Sequence, residues 1–143
     1  MASSSFGPVE IVVLAFPAER VPAEVQTAVR DVLAAGTVTL LDLAVVRRAE
    51  SGDVEVLELA DLGDHVALTD VVLPGAGLAG EEDLDEVAAG LAPGTNALVL
   101  VVEHTWARGV LGAARDAGGV VLLSERIPAE VVNEVAALAA AQD

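Results

Sequence analysis

Cysteine, lysine and tyrosine are absent from this 143-residue chain, and aromatic residues make up only 2% of it. Without cysteine there can be no disulfide, no thiolate metal site and no thiol nucleophile. Positive charge is scarce: seven arginines stand against 23 carboxylates, for a net charge of −16. A surface this acidic repels phosphate backbones, which argues against a nucleic-acid partner. Long apolar runs are missing too. Glu10, Asp42 and Asp70 interrupt the candidates before any reaches the ~18 residues of a membrane helix. The first eight residues carry no positive side chain, so they lack the basic start of a secretory signal. The expectation is a cytoplasmic protein with no membrane insertion.

What is present is aliphatic. Apolar residues form 54% of the chain and mean hydropathy is +0.60. A domain of this length can bury roughly 70% of its unfolded surface. The most buried-looking stretch is Ala97–Val102, Ala-Leu-Val-Leu-Val-Val, which follows Pro93-Gly94-Thr95-Asn96. An unbroken run of this kind reads as a strand covered on both faces. It ends at Glu103-His104-Thr105 and delivers Trp106, the only tryptophan.

In chain order, residues 1–8 form a polar, flexible tail, and 9–143 form one domain. Val9–Phe16 predicts the first strand. Pro22 sits at a helix start, with Val25, Ala28, Val29, Val32 and Leu33 at helical spacing until Gly36. Thr37–Arg48 predicts a second strand, Ala49–Asp53 a tight turn, and Val54–Leu59 a third strand whose acidic positions suit a wet edge. Asp61–Gly80 is the least regular part, with a short helical piece over His65–Val71 and a flexible Pro74–Gly77 loop. Glu81-Glu82-Asp83 opens a helix favoured by its dipole. After Ala97–Val102 come a helix over Ala107–Ala117, a last strand at Val120–Leu123, and a C-terminal helix from Pro128.

These elements predict two strand–helix–strand repeats. One is Val9–Phe16, Ala23–Ala35 and Val38–Val46; the other is Ala97–Val102, Ala107–Ala117 and Val120–Leu123. Together they predict an α+β, ferredoxin-like sandwich with an extra hairpin strand and a C-terminal helix. Such a sandwich has helices on one sheet face and leaves the other open. Because Ile11–Ala15 and Ala97–Val102 are apolar on both faces, a second subunit or the C-terminal helix should cover the open side.

The chemistry-bearing candidates are few. Glu103, His104 and Trp106 could line a small-ligand or cofactor pocket at the end of the Ala97–Val102 strand. The competing structural reading has Glu103 paired with an arginine such as Arg108, Thr105 capping the next helix, and Trp106 in the core. Neighbouring strand residues point to opposite faces, so Glu103 and His104 should not converge. His65 beside Asp61 and Asp64 lacks the spacing of a metal site. Gly75-Ala76-Gly77-Leu78-Ala79-Gly80 spells Gly-x-Gly-x-x-Gly. It follows a poor strand and precedes a strongly acidic segment, which argues against a bound pyrophosphate. No cofactor is expected.

Several segments together resemble a group of short uncharacterised actinobacterial proteins: Gly7-Pro8-Val9, Leu43–Arg48, Leu91–Ala97, Glu103–Ala107, Gly118-Gly119 and Glu125–Pro128. That group is distantly similar to bacterial "predicted membrane protein" domains with a Gly-rich central insert, here shortened to about Val66–Gly80. The resemblance implies a fold and no reaction. The expected function is therefore non-enzymatic self-association into a homo-oligomer. The alternative is ligand binding near Glu103, His104 and Trp106, and a protein partner for the acidic surface is a weaker third reading.

Overall fold

The computed structural model describes residues 6–58 and 73–142, and among these it holds four strands and four helices. They fall into two compact units, Met1–Val110 and Leu111–Asp143.

In the first unit, β1 (Val9–Phe16), β2 (Thr39–Arg48), β3 (Val54–Glu58) and β4 (Thr95–Glu103) form one antiparallel sheet in the order β1-β4-β2-β3. β1 leads into α1 (Ala23–Ala35). The carbonyl of Pro22 accepts the first helical N–H bonds, from Val25 and Gln26. Gly36 ends α1 at φ 79°, a left-handed conformation that glycine adopts without a steric penalty. The β2–β3 hairpin closes over Ala49–Asp53, as the turn residues predict. β3 is a sheet edge bearing Glu55 and Glu58, also as predicted.

Strand alternation separates two apolar layers. Leu40, Leu43, Val45, Leu98 and Leu100 face one side, where Val25, Val29 and Leu33 of α1 pack against them. Leu41, Ala44, Val46, Val99 and Val101 face the other, under Leu84, Val87 and Ala88 of α2 (Glu81–Ala89). A bulge puts Leu41 on the second layer: pairing steps from Leu40↔Val102 to Asp42↔Val101, so Leu41 has no partner across the ladder.

The architecture corrects two expectations. Helices cover both sheet faces instead of one. Also, a ferredoxin-like sheet holds its first and third strands in the centre, whereas β4 and β2 are central here. Among the described residues the second strand–helix–strand passage runs β3, α2, β4, so Ala97–Val102 closes a unit that it was expected to open.

In the second unit, α3 (Ala107–Asp116, which spans the division) ends where Gly118 takes φ 83° and the Gly119 N–H reaches the Ala114 carbonyl at 2.7 Å. Val120–Leu123 is not a strand. β-branched residues favour an extended backbone, but a strand exists only where a ladder partner meets it. Pro128 then starts α4 (Ala129–Ala141), and its carbonyl accepts from Val131 and Val132.

Candidate functional site

Alternation along β4 aims Glu103 and His104 in different directions, and each finds its own partner. The Glu103 carboxylate is fully buried. It accepts hydrogen bonds from the Gly7 N–H at 2.6 Å and from Arg108 Nε and Nη2 at 2.5 and 2.7 Å. Arg108 also stacks its guanidinium 5.2 Å from the centre of the Phe6 ring. The bonds from Arg108 hold the Glu103 carboxyl below the usual carboxylate range, against the opposing effect of burial, and the Gly7 N–H assists. Arg108 is raised in turn by the same hydrogen bonds. Phe6–Pro8, read as part of a flexible tail, is thus tied down. A Cβ on Gly7 would lie 2.7 Å from the His104 carbonyl oxygen, so only glycine fits there.

His104 donates its N–H to the Pro8 carbonyl at 2.8 Å, and its ring Nε2 lies 2.8 Å from Glu10 Oε1 on β1. The hydroxyls of Thr105 and Thr39 are 2.6 Å apart, a bond joining β4's end to the start of β2. Trp106 donates its backbone N–H to the Thr37 carbonyl. Its ring is 64% exposed, which corrects the expected core position. An aromatic ring goes inside only where neighbours enclose it, and here only the Trp106 backbone is held. Glu103, His104 and Trp106 therefore serve three separate ends. Together Glu103–Trp106 clasp the residues before β1 to the first turn of α3.

A second polar knot was missed at the sequence level. Asp42 interrupts the apolar run of β2 yet is buried. Its Oδ2 accepts from the N–H groups of Gly77 and Ala79, both at 3.0 Å, and its Oδ1 from the Leu43 N–H at 2.9 Å. The Gly75 N–H reaches the Leu41 carbonyl, and Gly77 takes φ 95°. The Gly-x-Gly-x-x-Gly loop is thus an amide cradle filled by the chain's own carboxylate. The signal was available: a lone aspartate inside an apolar strand needs donors, and a glycine-rich loop supplies them. At the other end of the sheet, Arg48 Nη2 caps the Ala88 carbonyl of α2 at 2.9 Å, and Asn96 holds the Ala18 carbonyl at 2.6 Å.

What remains open is apolar. On the α2 side of β1, Val9, Ile11 and Val13 are 48, 46 and 44% exposed. Beside Val9 lies an apolar hollow of about 570 Å³ lined by Phe6, Leu41, Pro74 and Leu78. In the second unit, Val120–Leu123 are 60–93% exposed, and Val131, Val132, Val135 and Leu138 form an exposed stripe on α4. Among the described residues no group of His, Asp and Glu could hold a metal ion, and no helix is long and apolar enough to cross a membrane. The helical piece at His65–Val71 and the acidic neighbours Asp61 and Asp64 of His65 lie outside the described residues.

No match is found among curated proteins or among solved structures. One family model covers nearly the whole chain, over residues 5–142, and the chain belongs to that family, the Family of unknown function (DUF6325).

Proposed function

We propose that this protein is a non-enzymatic, self-associating domain that functions as a homo-oligomer. One observation carries the reading: apolar surface stays exposed in both units, along β1 and from Val120 to Leu138. Nine large aliphatic side chains of the second unit are exposed, Ile127 among them. Each stabilises an assembly by about 1.5–3 kcal/mol on full burial. Even partial burial of this set offsets an association cost of about 4–15 kcal/mol. The polar groups support the same reading, since Glu103, His104 and Asp42 are each engaged by the chain itself.

The net charge of −16 opposes association. At ~0.15 M salt that repulsion is screened over ~8 Å, whereas apolar burial is undiminished. Assembly should therefore tighten as salt rises. Light scattering at micromolar concentration should give a multiple of the 14.5 kDa chain mass. A monomeric mass at both ~0.15 and ~1 M salt would overturn the proposal.

A further inference from the structure

We draw no further inference here: the strongest candidate, the apolar hollow of the first unit lined by Phe6, Val9, Leu41, Pro74 and Leu78, opens beside the half-exposed side chains of β1, and nothing in the structure shows what covers it.

Discussion

Arg108→Ala isolates the clasp at the end of β4. The substitution removes two of the three hydrogen bonds that the described residues make to the fully buried Glu103 carboxylate and leaves the Gly7 N–H as its only donor among them. Breaking a buried pair from one side costs about 3–5 kcal/mol. The Arg108 side chain is 41% exposed, so solvent already screens part of that attraction. The loss should be about 2–3 kcal/mol, or roughly 6–12 °C in Tm for a chain of this size. The double variant Glu103→Gln with Arg108→Ala keeps an acceptor for Gly7 and removes the stranded charge. It should be more stable than Arg108→Ala alone by about 1–2 kcal/mol. Acid melts add a sign. Because Arg108 depresses the folded pKa of Glu103, the pair's stabilisation is complete above the ordinary carboxylate value of about 4.3. It disappears as pH falls through the lower folded value. Below pH about 4.3 the wild type should therefore lose stability more steeply than Arg108→Ala. Denaturant melts followed by circular dichroism read both effects. An Arg108→Ala midpoint unchanged within ~0.5 kcal/mol, or a double variant no better than the single, would refute the account.

Two further outcomes follow from the same geometry. Asp42→Ala strands the Gly77 and Ala79 N–H groups and should cost about 2–4 kcal/mol in denaturant melts. Trp106→Ala should cost under ~1 kcal/mol, because the ring is mostly exposed; a loss near the ~3–5 kcal/mol typical of a core aromatic would place the ring inside.

Much of the architecture was legible because it rests on local signals. Aliphatic runs, unbroken in β4 and interrupted once by a carboxylate in β1 and in β2, marked these three strands; Pro22 and Pro128 marked two helix starts, and Gly36 a stop. Val120–Leu123 misled because it has a strand's composition, while pairing is a property of the whole sheet. The split of α1 and α2 between two faces was hidden for the same reason: a strand apolar on both sides does not say what covers either. At the clasp, Arg108 lies only five residues beyond Glu103, and a carboxylate at the end of a buried strand with an arginine that near in sequence made the pairing legible. Gly7 lies 96 residues from Glu103 and left no local trace. Asp42 was read as an interruption, since the bulge beside it appears only when β2 and β4 are set in register.

The filled amide cradle has a consequence for any search for nucleotide-binding proteins by pattern. A tethered carboxylate competes with free anions at an effective concentration in the millimolar range or above, so a free anion has to displace Asp42 before it can reach the Gly77 and Ala79 N–H groups. The loop behaves as a receptor sold together with its ligand. Its glycine string imitates a phosphate-binding fingerprint because both answer one demand, to point several N–H groups at a single negative oxygen. Whether such a string greets a nucleotide is decided by a residue some 35 positions away, outside the pattern altogether.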